Sequence, residues 1–337
     1  MPRWVNRPEG SNWGDFGEDD QIGRMNLLTP ERRRAAVAEV REGLCFTLSL
    51  PLDYPGWEGQ SIGRMPPRLF TAELPGGPAY NYHFSNMAPG SQDLVCDDAV
   101  TLFTQYSTQW DSLAHWGRLF DADGDGAPEP VYYNGFRAGE HLRAPSGDEG
   151  PYADRLGIEN MAMAGVQGRG VLVDLHRVHG DRPASVDYDG LMQAFEAQGV
   201  EVRPGDFLLI RTGFDDQLLG AERHPDPSRL PGCASLNGGD PRLLQWITDS
   251  GVVALCSDNG AVETVDFAAG AHAHGASLLP LHEHCLFKLG IHLGEMWRLS
   301  ELAAWLRANR RSAFLLTAPP LRLPGSVGSP VTPIATV

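Results

Sequence analysis

The second half of the chain alternates short, unbroken apolar runs with stretches of helical periodicity. Val171-Leu-Val-Asp-Leu175, Phe207-Leu-Leu-Ile-Arg211, Val252-Val-Ala-Leu-Cys256 and Phe314-Leu-Leu-Thr317 are short and β-rich, which predicts strands buried on both faces. Between them, Asp189 to Gln198, Pro241 to Ser250 and Ser300 to Ala308 predict helices, with Gly251 as the stop of the second and Ser300 as the N-cap of the third. Near the N-terminus, Thr29-Pro30-Glu31 joins a capping hydroxyl to a proline at the first helical position and predicts a helix to about Arg41. The stretch from Leu278 to Glu295 reads as a Pro-started helix that turns at Gly290 into a short apolar strand ending at Glu295. This alternation predicts an α/β protein without regular doubly wound order. No repeat or linker divides it, so residues 1–337 are expected to form one domain, with an N-terminal extension over about 1–45. The Gly-, Pro- and aromatic-rich stretch at about 55–91 reads as a long ordered loop, suited to shaping a pocket or meeting a partner.

Composition narrows the partners. The chain has 337 residues, 42% of them hydrophobic, enough for a large core, and 43 acidic against 27 basic residues give a net charge of -16. Nucleic acid and anionic membranes need clustered Lys and Arg, so a small-molecule substrate is the expected partner. No apolar run reaches the ~18 residues that span a bilayer, and the start lacks a secretion signal, which makes a cytoplasmic location the expectation. Cys45, Cys96, Cys233, Cys256 and Cys285 form no Cys-x-x-Cys pair and read as reduced thiols, mostly in the core. Asp121-Ala-Asp-Gly-Asp-Gly126 copies the first half of a calcium loop, but Tyr132 stands where a bidentate Glu is needed, so an acidic turn is expected. Dinucleotide, P-loop and Gly-x-Ser-x-Gly motifs are all absent.

Candidate chemistry begins at Gln105-Tyr-Ser-Thr-Gln109-Trp-Asp111-Ser-Leu-Ala-His115. Gln105, Gln109, Asp111 and His115 are all odd-numbered, so an extended segment would aim them one way. Five histidines, His272, His274, His282, His284 and His292, follow Gly270. Spacing singles out His282, because a His at a helix start and a Glu after the next strand, Glu295, are able to converge on one point. Trp110 and Trp116 flank the first set and are equally read as core or as substrate platforms, while Tyr133 and Arg211 are candidates to meet an anionic or aromatic substrate. Asp111 and His115 also have a purely structural reading as a buried hydrogen-bonded strut.

Thr108-Gln-Trp-Asp-Ser-Leu-Ala-His115 and Gly290-Ile-His-Leu-Gly-Glu295 resemble the cyclase family that includes bacterial kynurenine formamidase and isatin hydrolase, whose signature is His-x-Gly-Thr-His-x-Asp-x-Pro-x-His. The similarity spans nearly the whole chain, through Trp13-Gly-Asp-Phe-Gly, Tyr133-Asn-Gly135, Gly205-Asp206, Arg211-Thr-Gly213, Ala318-Pro-Pro-Leu and Gly325-Ser-Val-Gly-Ser-Pro. It implies a swivelling β/β/α architecture, a homodimer or homotetramer, and a divalent metal, Zn or Mn, that activates water against an amide or lactam carbonyl. Carried over by residue, two metal-binding His positions fall on Gln105 and Gln109, the metal-binding Asp on Asp111, the acid/base His on His115, and the later ligands on His282 and Glu295. Ser107 and Leu113 replace the signature Gly and Pro.

Three functions follow as expectations. With a metal held by Asp111, His282 and Glu295, the protein is a hydrolase of a carbon-nitrogen or lactone bond in a small cyclic or aromatic substrate, with His115, Asp111 and Gln109 as the catalytic set. Gln105, Trp110, Trp116, Tyr133 and Arg211 would then contact the substrate. With no metal, the same residues suit a cyclase, dehydratase or isomerase of a carbonyl compound in secondary metabolism. The third expectation is a non-catalytic small-molecule binding protein.

Overall fold

The apolar runs become the middle of a nine-stranded sheet. In the computed structural model, residues 3–56, 63–225, 230, 232–265 and 276–337 are described; His272 and His274 lie outside them. The strands of the large sheet are β1 (Cys45–Thr47), β2 (Gln109–Asp111), β3 (Gln167–Asp174), β4 (Phe207–Arg211), β5 (Ala254–Ser257), β6 (His292–Glu295), β7 (Ala313–Thr317), β8 (Gly328–Pro330) and β9 (Ile334–Thr336). They lie in the order β1-β9-β7-β3-β4-β5-β6-β2-β8. The core β3-β4-β5-β6 is parallel, and antiparallel strands extend it on both sides.

Helices cover both faces, which is why the central strands are apolar at consecutive positions. The helices used below are α1 (Pro30–Val37), α2 (Tyr188–Gln198), α3 (Phe214–Gly220), α4 (Pro241–Ser250), α5 (Pro280–His282) and α6 (Ser300–Ala308). Val171, Val173, Leu208, Ile210 and Leu255 pack with Leu191 and Phe195 of α2 and Leu243 and Ile247 of α4. Leu172, Leu209, Ala254 and Cys256 face the other way, against Leu302, Ala303 and Leu306 of α6. Each fully buried side chain of this kind contributes about 1.5–3 kcal/mol of transfer free energy. Among the described residues, no helix is long and apolar enough to cross a membrane.

Three expectations about elements are corrected. α1 stops at Val37 rather than near Arg41, because Ala38 N turns back to Ala35 and Ala36 carbonyls and only Ala36 is buried, so no apolar stripe carries the helix further. Leu299, not Ser300, precedes the first turn of α6, and the cap comes from α3: Asp215 accepts from Leu299 N (2.8 Å) and Ser300 N (2.9 Å). The stretch at 55–91 is not one loop. Its described part and the residues after it form short two-stranded ladders, pairing Arg68–Phe70 with Ala99–Thr101, Glu73–Leu74 with Gly77–Pro78 and Tyr82–His83 with Leu94–Val95.

The acidic Asp121 loop is a turn. Asp121 accepts from Gly124 N (2.8 Å) and Gly126 N (3.2 Å), and the Arg137 guanidinium lies 3.1 Å from Glu129 and 3.8 Å from Asp123. After α5 the chain winds as a π-helix, Glu283–Leu289, and ends in left-handed Gly290. The N-terminal segment straps this helix: the Trp13 indole donates to Phe287 O (2.8 Å), and Arg24 N donates to Gly290 O (2.8 Å). Gly23 and Gly290 meet back to back, so closely that a Cβ on Gly290 would sit 2.6 Å from Gly23 Cα and 2.7 Å from Tyr133 Cζ. The expected N-terminal extension is therefore packed onto the π-helix that follows His282.

Candidate active site

The site is built on β2, which lies between β6 and β8. Gln109 stands opposite Glu295, and Asp111 stands opposite Leu293 and Gly328. Strand alternation sends Gln109 and Asp111 to one face and Trp110 to the other. Trp110 is wholly enclosed, its indole donating to Ala318 O (2.8 Å) and its ring edge-on to Trp297 at 5.0 Å. It is a core residue, and its reading as a substrate platform is corrected.

Only Gln109–Asp111 of the 105–115 segment is extended; turns flank it on both sides. The turns do not scatter the set. Gln105 lines the same cavity as Gln109 and Glu295, and His115, whose N donates to Ser112 O (3.0 Å), brings Nε2 to 3.9 Å from Asp111 Oδ1.

His282 is placed by a residue the sequence reading missed. Buried Glu263 accepts from Leu281 N (2.9 Å), from His282 N (2.9 Å) and from His282 Nδ1 (2.8 Å). With Nδ1 held as the donor, Nε2 faces Glu295 Oε1 at 3.4 Å. Glu295 is held in turn by Gln109 Nε2, 2.8 Å from Oε2. The Trp116 ring lies 5.3 Å from the His282 ring, tilted by 60°.

Four buried oxygens here have no hydrogen-bond partner among the described residues: both of Asp111, Oε1 of Glu295 and Oε1 of Gln109. Ligand atoms of Asp111, His282 and Glu295 lie within 4.8 Å of one another. Two carboxylates stripped of water and left with open lone pairs are costly unless a cation or proton answers them. A carboxylate, carboxylate and imidazole set, with an amide oxygen beside it, is the donor chemistry of a divalent ion such as Zn or Mn, so the residues present fit the metal that the resemblance implies.

Burial, and then the neighbouring Glu295 carboxylate, push Asp111 well above the usual carboxylate range, with His282 and Arg64 opposing. Burial pulls His282 down, but its bond to Glu263 and the charge of nearby Glu295 outweigh that and raise it to about 10. His115 is pushed down to about 3 by burial and by the nearby His282 and Arg64, which leaves it a neutral base at neutral pH.

A cavity of about 380 Å³ opens over Gln105, Gln109 and Glu295, walled by Tyr106, Phe214 and Met296. Arg64, also unanticipated, is the cation in its lining and donates from Nη1 to Gln105 O (2.7 Å). His115 faces a second cavity of about 650 Å³ with Tyr132, Arg143 and Tyr152.

Tyr133 and Arg211 line neither cavity, which corrects their reading as substrate contacts. Tyr133 is fully buried, its hydroxyl 3.3 Å from Asp20 Oδ2. Arg211 is an ion-pair hub, bonded to Asp174 (3.1 Å), Asp216 (2.9 Å) and Ser300 (3.2 Å). A signal for Glu263 was present in the sequence: it follows β5 in the Gly-containing run Asp258-Asn-Gly-Ala-Val-Glu263, at the carboxyl end of a parallel strand, where such folds assemble ligand sites.

The cyclase family model matches residues 46–264. The chain belongs to the cyclase family. A crystal structure of a novel cyclase is 32% identical to this cyclase-family chain, covers 97% of it and 99% of its own length, and superposes with a TM-score of 0.75. Isatin hydrolase A from Labrenzia aggregata bound to benzyl benzoate is 14% identical over 90% of this chain and 95% of its own, with a TM-score of 0.54. An isatin hydrolase bound to the product analogue thioisatinate is 13% identical over 92% and 99%, with a TM-score of 0.55. These two likenesses are of fold, and they agree with the swivelling β/β/α architecture. No curated protein matches the sequence. His282 and Glu295 lie beyond the segment that the family model matches, and it is the fold that brings them to Gln109 and Asp111.

Proposed function

We propose that this cyclase-family protein is a hydrolase of an amide, lactam or lactone bond in a small cyclic or aromatic substrate. The observation that carries the reading is the cluster of four partnerless buried oxygens around His282, beside a largely apolar cavity. Asp111, His282 and Glu295 would hold a divalent ion, with Gln109 Oε1 beside it; when bound, such an ion supplies Lewis acidity that acidifies water and polarises a carbonyl.

The chain's own residues do the rest. Glu263 holds the Nδ1 side of the His282 ring, so that Nε2 faces Glu295. Tyr106, Phe214 and Met296 exclude water from one side of a flat substrate, and Arg64 offers N–H donors to a carbonyl oxygen. His115, 3.9 Å from Asp111, would pass a proton between the attacking water and the leaving nitrogen or oxygen.

A second reading, metal-independent cyclisation, dehydration or isomerisation, is favoured by Gln105, whose buried Nε2 has no partner and could donate to a developing enolate. The two are separated by metal analysis and by titration of the metal-free protein with zinc and manganese, followed by a panel of aryl lactams and lactones. Tight binding of one ion, hydrolysis that a chelator abolishes, and loss of turnover in folded Asp111→Asn and His115→Ala support the hydrolase. Turnover indifferent to chelator would sink it. A homodimer or homotetramer is part of the same proposal and is read by sedimentation.

A further inference from the structure

The protein carries a net charge of -16, yet one cavity of about 230 Å³ is lined by four arginines, Arg177, Arg307, Arg310 and Arg311. Its origin is a step in the sheet. β3 continues to Asp174, whereas β7 pairs with it only up to Val171. The free edge beyond is closed by the Gln198 side chain, which accepts from Asp174 N (3.0 Å) and donates to Asp174 O (2.9 Å). Leu172, Val200 and Leu306 line the apolar part of the notch.

The charges around it are unbalanced. The guanidinium groups of Arg177, Arg307 and Arg310 have no ion pair or hydrogen bond among the described residues, and all three are exposed. Arg311 bonds to Glu39 O (2.5 Å) and Ala313 O (3.2 Å) and lies 3.7 Å from Glu39 Oε2, but its Nη1 is buried without a partner. The one carboxylate in the lining among the described residues, Asp174, is already committed to Arg211 (3.1 and 3.2 Å) and to Arg177 N (3.1 Å).

We propose that this notch is a binding site for a small phosphoryl compound. Guanidinium forks match phosphoryl oxygens two by two, and several of them around a small cavity suit a ligand that concentrates charge on one or two centres. The apolar part of the lining would receive an organic portion of the ligand. The site is distinct from the hydrolytic one: two strands lie between β3 and β6, so the two centres are at least about 14 Å apart at ordinary strand spacing.

The test is calorimetric titration of the full chain with sodium pyrophosphate at constant ionic strength, with citrate as the carboxylate arm. Saturable binding with a dissociation constant below about 1 mM is expected, weakened about ten-fold or more by Arg177→Ala with Arg307→Ala. Unliganded melting of that double variant should be unchanged, since both side chains are exposed; if it melts early, Arg310→Ala alone decides, with about three-fold or greater weakening expected. No saturable binding up to about 10 mM, or binding that the variants leave intact, overturns the site. Citrate binding as tightly as pyrophosphate overturns the phosphoryl assignment.

Discussion

Glu263→Gln tests whether the candidate centre is held as described. The Glu263 side chain is buried and accepts three N–H bonds, one at Oε2 and two at Oε1. A glutamine has one acceptor oxygen. Placed at the Oε1 position, its amide keeps both His282 bonds but turns an NH₂ towards Leu281 N; flipped, it opposes both His282 donors. The better orientation still orphans one buried donor and removes the charge from the other two bonds, a loss of about 2–4 kcal/mol. Freed from the carboxylate, the His282 ring is less basic and less well aimed, and partners of this kind are worth about 10- to 100-fold in ion affinity. Urea unfolding measures the first effect, and calorimetric titration of metal-free protein with zinc and manganese the second. Unchanged affinity in a folded variant that has lost the expected stability would refute the aiming role and leave Glu263 as a cap on α5. Unchanged stability would refute the hydrogen-bond accounting itself.

Other outcomes follow from single residues. Burial pushes His292, whose Nδ1 is buried without a partner, down to about 3, below its unfolded value. The unfolded chain therefore binds the extra proton, and this stability is complete above about pH 6.5 and lost as pH falls, by about 1.4 kcal/mol per unit. Urea titrations at pH 5 to 8 should show that slope reduced in His292→Leu; an identical slope would show the imidazole to be solvated. Gly290→Ala forces a Cβ against Gly23 and Tyr133 at positive φ and should cost about 2–4 kcal/mol in thermal unfolding, an unaltered melting point contradicting the close contact. Asp215→Ala removes the acceptor of Leu299 N, Ser300 N, Ser300 Oγ and Asp216 N and should destabilise by about 3 kcal/mol, partly offset by relief of its repulsion with Asp258. A loss below ~1 kcal/mol would mean that α6 is capped by other groups.

What could be read from the sequence was whatever is encoded locally. Helix α4 keeps its expected limits because Asp240, Pro241 and Gly251 state them in adjacent residues. The parallel strands were legible because both of their faces are buried. Gln109, Asp111, His282 and Glu295 were grouped by strand periodicity and by the family resemblance, and the fold brings them together. Trp110 stayed open between core and substrate platform, and Tyr133 and Arg211 prove not to line the cavities, because residue type tells what a side chain can bind but not which side of the sheet it meets. Glu263 and Asp215 act on partners far along the chain, Asp215 on Ser300 across 85 positions, and no short window contains such a pair.

The π-helix after His282 makes chain length itself a determinant of the site. Its far end is fixed by the Gly23–Gly290 contact and the Trp13–Phe287 bond, and its near end by Glu263. Adding one residue to Glu283–Leu289, which is already wound wide, would rotate one end against the other by roughly 100°. His282 would then swing away from Glu295 with every side chain of the centre still present. Single-residue insertions, more than substitutions, are the changes that this segment is least able to absorb.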